Sequence, residues 1–442
     1  MCSNFREGKM GQIMGDGCGG MKRLSALFTV GWVLLAHSTA VWAGELSLKA
    51  LIEEALQASP EIQAARAKAA ASGFRVPQSM SLPDPMVMVG YQNDGTSRFT
   101  FNEAADSQYM FSASQLFFFP GKRALKGEAA ALESESLVAS VKAAQLRTIA
   151  TIKEIYYDLF LAHKSLDLLR EKGLLLGQLE EAALSSYAAG RGMQQEVLMA
   201  QTEKYMLIER EEMLRQNIQT LEAMLNATVG REQAALLDRP VPPAFATYAK
   251  ALPELIATAY SNSPEIRARE RMVASLGAKV RVAEKEYYPD ITVTGNYGLK
   301  GSEFDDMWSL TTTLNIPLYY ETKQRPAIQE AEASLKEAKH ELQAVRLQLS
   351  SVIRENHAML QTSERLMQLF RQGLTPKIQQ DFQSALASYA TGKADALSVI
   401  SRIKTITDLE TSYWGQLVTR EKAMARLDVL TGSVDSHTEE GK

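Results

Sequence analysis

Cysteine is almost missing from the 442-residue chain: Cys2 and Cys18 are the only two, and both precede the first apolar run. The rest of the chain can form no disulfide framework and no thiolate metal site. An exported product cleaved after that run would also lack an N-terminal cysteine for a lipid anchor. Charge of one sign is missing too. Lys and Arg number 48 against 52 Asp and Glu, a formal net charge of -4. No basic surface therefore marks a nucleic-acid partner. Long apolar runs are limited to one near the start, which excludes a polytopic helical membrane protein. At 45% hydrophobic and 23% charged residues, the chain is neither disordered nor collagen-like. Catalytic patterns are absent as well. Glu53-Glu54, Glu180-Glu181 and Glu211-Glu212 are adjacent carboxylates whose side chains diverge on a helix. No phosphate-cradling Gly loop or nucleophile elbow occurs. Past the start, His163, His340, His357 and His437 show no paired ligand spacing. The chain reads as no enzyme, with no cofactor and no bound metal.

What is present begins with an export signal. Met21-Lys22-Arg23 precede the apolar run Leu24 to Leu35, and Val41 and Ala43 form a small-residue cleavage site. Translation is expected to start at Met21 and cleavage to follow Ala43, so residues 1–43 form a leader. The run is short for a membrane anchor. Loss of Arg6, Lys9, Lys22 and Arg23 with Glu7 and Asp16 leaves the product more acidic.

The remainder repeats itself. Ser59-Pro60-Glu61-Ile62 returns as Ser263-Pro264-Glu265-Ile266, and Tyr187-Ala188-Ala189-Gly190 as Tyr389-Ala390-Thr391-Gly392. Leu116 to Arg123 is echoed by Leu314 to Arg325. Three landmarks in one order, each about 200 residues on, indicate two tandem copies. They are expected at 44–230 and 249–432. A linker holding Pro240, Pro242 and Pro243 covers 231–248, and a flexible tail covers 433–442.

Each copy follows one plan. A short amphipathic helix (46–58, 249–262) precedes a helix capped by Ser with Pro at its first position, running to 81 or 287. Two strand-like segments follow. Then comes a very long helical stretch (123–189, 322–390), a Gly turn, and a last helix (193–229, 395–431). In the first long stretch Leu146, Ile149, Ile152, Ile155 and Leu159 recur at coiled-coil spacing. About 67 helical residues span about 100 Å, too long for a compact globule. One long helix flanked by two shorter ones stacked end to end accounts for the lengths.

Between the helices the period falls to two. Tyr109, Phe111, Ala113, Gln115 and Phe117 alternate with Gln108, Met110, Ser112, Ser114 and Leu116. Trp308, Leu310, Thr312 and Leu314 oppose Ser309, Thr311, Thr313 and Asn315, and Ile291, Val293 and Tyr297 oppose Thr292, Thr294 and Asn296. Residues 86–91 begin the first strand less cleanly. Taken alone this suits ordinary β-hairpins. Beside an export signal and helices of about 100 Å it suits transmembrane β-strands. Four strands cannot close a barrel, and lipid tolerates no open edge, so closure demands an oligomer; three chains give twelve strands.

With the duplicated Ser-Pro-Glu-Ile starts, the paired strand insertions, the long helices and the Tyr-x-x-Gly turns together, the chain resembles the TolC family of outer membrane efflux proteins along nearly all of its length after the leader. The resemblance implies a mainly α fold with β: an internally duplicated protomer forming a homotrimer, whose 12-stranded β-barrel in outer membrane lipid continues as an α-helical barrel across the periplasm. It implies a passive exit duct whose partners are a periplasmic adaptor protein and an inner membrane efflux pump. Phe119-Pro120-Gly121-Lys122-Arg123 resembles the heavy-metal branch, which exports copper and silver or cobalt, zinc and cadmium. Drug, solvent or unspecified export stays open, as do a type I secretion duct and a periplasmic coiled-coil adaptor without a barrel.

The turns at Gly190 and Gly392 are the expected periplasmic tips, about 100 Å from the strands. The resemblance makes Tyr187, Gly190, Val197, Leu198, Tyr389, Gly392, Leu397, Val399 and Ile400 the adaptor-docking residues. The blander reading is that Gly permits the turn and the apolar residues pack the coiled coil. Some family members close the duct with an Asp ring past the second tip. Here Ser398 and Ser401 hold those places, and Glu196 or Asp395 is the candidate gate carboxylate. Met80, Met86, Met88 and Met110 gather around the first hairpin, where thioethers suit Cu(I) or simply face lipid.

Overall fold

The computed structural model describes residues 45–432 except 244, 246 and 247. The leader with its Met21 start and Ala43 cleavage point, and the tail 433–442, lie outside the described residues.

The first half runs β1 (Glu45–Leu46), α1 (Leu48–Ala58), α2 (Pro60–Met80), β2 (Met86–Gln92), β3 (Gln108–Phe117), α3 (Lys122–Ala188) and α4 (Gln194–Val229). The second half runs β4 (Arg239–Pro240), α5 (Leu252–Asn262), α6 (Pro264–Lys285), β5 (Asp290–Leu299), β6 (Met307–Asn315), α7 (Gln324–Leu369), α8 (Thr375–Ala390) and α9 (Ala396–Leu430). The two halves thus repeat one order of helices and paired strands.

Both Ser-Pro starts open helices, but the hydroxyls differ. Ser263 accepts from Ile266 N, whereas Ser59 makes no side-chain cap bond. The start there rests on the backbone, with Gln63 N donating to Ser59 O at 3.0 Å, and on Pro60 at the first position. The first long helix, α3, is unbroken over 67 residues, a length of about 100 Å. The second stretch is helical from Gln324 to Ala390 but carries a π turn, Phe370–Leu374, between α7 and α8. Pro376 has no N–H and its ring would strike the Gln372 carbonyl. The ladder widens instead, and Thr375 N donates to Phe370 O.

Helix α3 packs against α2, α4, α6 and α9, and α7 packs against α6 and α9. Leu146, Ile149, Ile152, Ile155 and Leu159 are all buried. Leu51 and Ala55 of α1 join Ile152, Leu159, Leu225 and Val229 in one core; Leu255 and Ala259 of α5 join Ile353, Leu360 and Leu427 in its counterpart. Each full burial of Leu or Ile contributes about 1.5–3 kcal/mol. The end-to-end junction of α4 with α2 is closed by Gly230 at φ 97°, a left-handed cap pressed on the Ala58 carbonyl. Gly432 at φ 74° does the same against Asn262. The stretch expected to be a linker is tied down: β4 pairs in parallel with β1, and the Tyr156 hydroxyl donates to Leu46 O and accepts from Val241 N at 2.8 Å.

Candidate functional site

The four longer strands form one antiparallel sheet in the order β2-β3-β5-β6, so the two halves meet at its centre. The register stacks Val89, Phe111, Tyr297 and Trp308 in one row, and Val87, Ala113, Gly295 and Leu310 in the next. Phe117, Ile291 and Leu314 continue that face. The other face carries Ser112, Asn296 and Ser309, then Ser114, Thr294 and Thr311. An apolar face is thus set against a largely polar one across strands of 7, 10, 10 and 9 residues. Among the described residues nothing covers the apolar face: Trp308 is 77% exposed and Leu310 70%. Among the described residues β2 and β6 are edges, each paired on one side only. No helix among the described residues is long and apolar enough to cross a membrane.

Where β3 enters α3, the Phe-Pro-Gly-Lys-Arg motif has a structural use. Gly121 takes φ 86°, which turns the chain and buries Lys122 to 1% exposure. The Lys122 ammonium donates to Glu286 Oε2 at 2.8 Å and to Asp290 Oδ2 at 2.9 Å. Asp290 Oδ1 also accepts from Phe119 N at 2.9 Å, and the Phe119 and Tyr288 rings stack with centroids 4.4 Å apart. Burial pulls the Lys122 pKa down, but the hydrogen bonds to Glu286 and Asp290 outweigh it and leave the value raised. The motif is legible in the sequence, but its partners are not. The dipeptide Pro-Asp at the entry to the paired strands of each half, at 83–84 and 289–290, was the available signal.

The two tips are near copies. Gly190 and Gly392 both take φ 69°. Each helix ends on a bond reaching five residues back: Arg191 N to Ser186 O at 2.9 Å, Lys393 N to Ser388 O at 2.8 Å. That bond satisfies a carbonyl the helix end would otherwise leave open. The expected docking residues divide. Tyr187, Gly190, Leu198, Gly392 and Leu397 are exposed, whereas Val197, Val399 and Ile400 are buried. Val399 and Ile400 pack with Leu176, Leu179 and Phe382, and Tyr389 lies against them. Burial raises the Tyr389 pKa, with Glu196 adding to it. The candidate gate carboxylates sit at one helix start. Asp395 Oδ1 accepts from Ser398 N at 3.0 Å, and Glu196 Oε1 from Ala396 N at 3.5 Å. The Ser398 N–H stabilises the charged form and holds the Asp395 carboxyl below its ordinary value. Among the described residues no group of three His, Cys, Asp or Glu is placed to hold a metal.

Ion pairs between the halves also escape the sequence pattern: Arg426 to Glu154 at 2.6 Å and Lys404 to Glu203 at 2.5 Å. So does a buried Arg420 bound to Glu421 and Glu364. No local pattern marks them, since most of the partners come from distant parts of the chain.

With this geometry the comparisons agree. The model of the family described as outer membrane efflux protein matches residues 255–426. The solvent efflux pump outer membrane protein SrpC of Pseudomonas putida is 24% identical over 254 residues, 53% of this chain and 52% of that protein. The chain therefore spans about half the length of the solvent-efflux relative it matches. The cobalt-zinc-cadmium resistance protein CzcC of Cupriavidus metallidurans is 21% identical over 88% of this chain and 91% of its own length. The solved outer membrane protein VceC of Vibrio cholerae superposes with a TM-score of 0.74 at 18% identity, covering 87% of this chain and 96% of that one. Residues 255–426 thus match the outer membrane efflux protein family, and the duplicated helices with their four-strand sheet share the fold of the solved outer membrane protein VceC.

Proposed function

We propose that the chain is the exit duct of a tripartite efflux system, a homotrimer in the outer membrane that reaches across the periplasm to an adaptor and an inner membrane pump. The sheet is the observation that carries this. One face is apolar and uncovered, and both edges are unpaired, in a chain whose longest helix spans about 100 Å. Such a sheet cannot stay open in lipid. Three copies give twelve strands, with β2 of one pairing β6 of the next, and the polar face then lines water. The duct conducts cargo and carries out no chemistry.

The tips serve as the adaptor contact, through exposed Tyr187, Leu198 and Leu397 around Gly190 and Gly392; Val197, Tyr389, Val399 and Ile400, packed beneath, hold their shape. We place the cargo among heavy-metal cations. The Pro-Gly-Lys motif and the long match to the cobalt-zinc-cadmium resistance protein support that reading over solvent export, whose match spans only half of each chain.

The test uses the absence of cysteine after residue 18. Val87→Cys and Leu310→Cys are introduced together and treated with a short bismaleimide in intact cells. Covalent trimers in the outer membrane fraction are expected. Uncrosslinked monomer in the soluble periplasmic fraction overturns the duct. Deletion of the gene is expected to sensitise cells to cobalt, zinc or cadmium rather than to toluene; the reverse overturns the metal cargo.

A further inference from the structure

A groove of about 330 Å³ lies between α2, α3 and α6, in the turns nearest the sheet. Arg75, Lys126 and Lys279 line it, with Ser72 and Ser79 in its wall and Glu133 as its one acid. Spacing gathers these side chains. Lys126, Ala130 and Glu133 fall three and four apart on α3, and Ser72, Arg75 and Ser79 do so on α2, so each set shares one flank of its helix. Glu133 serves two cations, Lys279 Nζ at 2.9 Å and Arg75 Nη1 at 3.9 Å. Lys126 meets no carboxylate among the described residues. Its ammonium stands 4.3 Å from the centroid of the Phe118 ring instead, and a ring face holds an ammonium without neutralising it. Three cations less one carboxylate leave the groove with a charge of +2.

Phe118 also gives the direction in which the groove opens. It follows Ser112, Ser114 and Leu116 on the alternate positions of β3, the polar side of the sheet. Phe119, on the apolar side by the same alternation, stacks on Tyr288 and has Lys285 Nζ 5.5 Å from its centroid. The pairs Arg281–Glu128 and Arg271–Glu135 take the other flank of α3, since positions 128 and 135 lie roughly half a turn round the helix from Lys126. We propose that the groove binds a divalent oxyanion of the inorganic phosphate type, held by Arg75, Lys126 and Lys279. A compact dianion matches the charge of the groove; the Arg75 fork can meet two oxygens at once, and the ammonium groups act as point charges. The Arg75 side chain is 67% exposed, so binding is weak and falls with salt. The groove is built within one protomer. Its place on the inner wall rests on the duct reading above, in which a homotrimer sets a positive collar beneath the barrel, opposite in sign to Glu196 and Asp395 at the tips.

The test is binding of inorganic phosphate to the full-length, detergent-purified protein, followed by phosphorus NMR line broadening at fixed ionic strength. Wild type is compared with K126Q/K279Q, with K126Q alone, with E133Q, and with K142Q, an exposed lysine further along α3. Phosphate binding at least about fivefold weaker in K126Q/K279Q, intermediate in K126Q and unchanged in K142Q is expected. E133Q removes the competing carboxylate and should bind phosphate more tightly than wild type. Lys126 makes no ion pair, so K126Q keeps the test open if the double variant fails to assemble. Equal phosphate binding in wild type, K126Q and E133Q overturns the site. Phosphatidylglycerol retained through purification, counted by mass spectrometry, should be equal in wild type and K126Q/K279Q. Loss of that lipid from the double variant with phosphate binding unchanged overturns the free oxyanion in favour of a lipid headgroup. Potassium chloride conductance in planar bilayers separates the groove from the duct. A conducting wild-type trimer without the phosphate differences overturns only the groove; a wild-type protein that binds phosphate but forms no conducting trimer overturns the duct and the collar and leaves the groove.

Discussion

The ammonium of Lys122 stands 2.9 Å from Asp290 Oδ2, although the two residues lie 168 apart in the chain. Glu286 Oε2 adds a second contact at 2.8 Å. The first residue of the long helix in one half is thereby fixed to the first residue of a strand in the other half, at the seam between sheet and helices. Removing one partner of a buried pair costs about 3–5 kcal/mol, and Glu286 is partly exposed, so Lys122→Met is expected to cost about 3 kcal/mol. K122M/E286Q/D290N should recover part of it. The temperature at which the proposed trimer dissociates on gels measures both. The pH dependence has a definite sign. A lysine whose folded pKa is raised contributes fully below its unfolded value of 10.5 and loses that contribution as pH climbs through the folded one. The gap between wild type and K122M should hold across neutral pH and narrow only in alkali.

The sheet makes a paired prediction, because Leu310 and Thr311 are neighbours on opposite faces. A Lys on a lipid face costs about 2–4 kcal/mol at the bilayer midplane, and little on a lumen face. L310K should prevent most of the protein from reaching the heat-modifiable trimer, while T311K assembles normally. Equal yields from the two variants would contradict the assigned faces.

Four glycines with positive φ separate conformation from crowding. At Gly190 and Gly392 nothing lies within 4 Å of where a Cβ would stand. Ala there meets only the left-handed backbone cost of about 1–2 kcal/mol. At Gly230 a Cβ would stand 2.7 Å from Ala58 O and 3.0 Å from Ala58 C, both rigid backbone. At Gly432 the nearest atom is Asn262 O at 3.1 Å. The order of destabilisation in chemical denaturation should be G230A, then G432A, then G190A with G392A. A G230A protein as stable as G392A would remove the packing role of that junction.

Legibility in the sequence followed the range of each interaction. Helix starts at Pro60 and Pro264 were plain, because capping and proline act within one turn. The alternation of Phe111 and Phe117 against Ser112 and Ser114 showed which residues share a face. It could not show that Phe111 sits opposite Tyr297, since pairing between halves leaves no local period. Pro376 was visible, but an interior proline is compatible with a kink, a break or a π turn, and the geometry of Thr375 and Phe370 decided among them. Lys122 stood in a recognised motif whose partners come from residues 286 and 290. Gly230 and Gly432 end equivalent helices, and a terminal glycine is ordinary until its neighbour is known.

At the second tip, charge and capping can be told apart. Asp395 Oδ1 accepts from Ser398 N at 3.0 Å, and that bond holds its pKa below the ordinary 3.8. Loss of an N-cap costs about 0.5–2 kcal/mol, but Asn caps as well as Asp. D395N should therefore keep the helix start and remove only the charge, whereas D395A removes both and D395K reverses the charge at a helix N-terminus, which the helix dipole disfavours. If Asp395 supplies a ring of three carboxylates that favours cations, D395N should lower the cation-to-anion permeability ratio in planar bilayers at unchanged thermal stability. D395K should lower the ratio further and impair metal efflux while trimers persist. If the ratio is the same in D395N and wild type, the carboxylate is a cap alone. The acid limb supplies a second check. A depressed carboxyl contributes stability above its unfolded pKa and loses it as pH falls through the folded one. Wild type should therefore lose stability relative to D395N only below about pH 3.8.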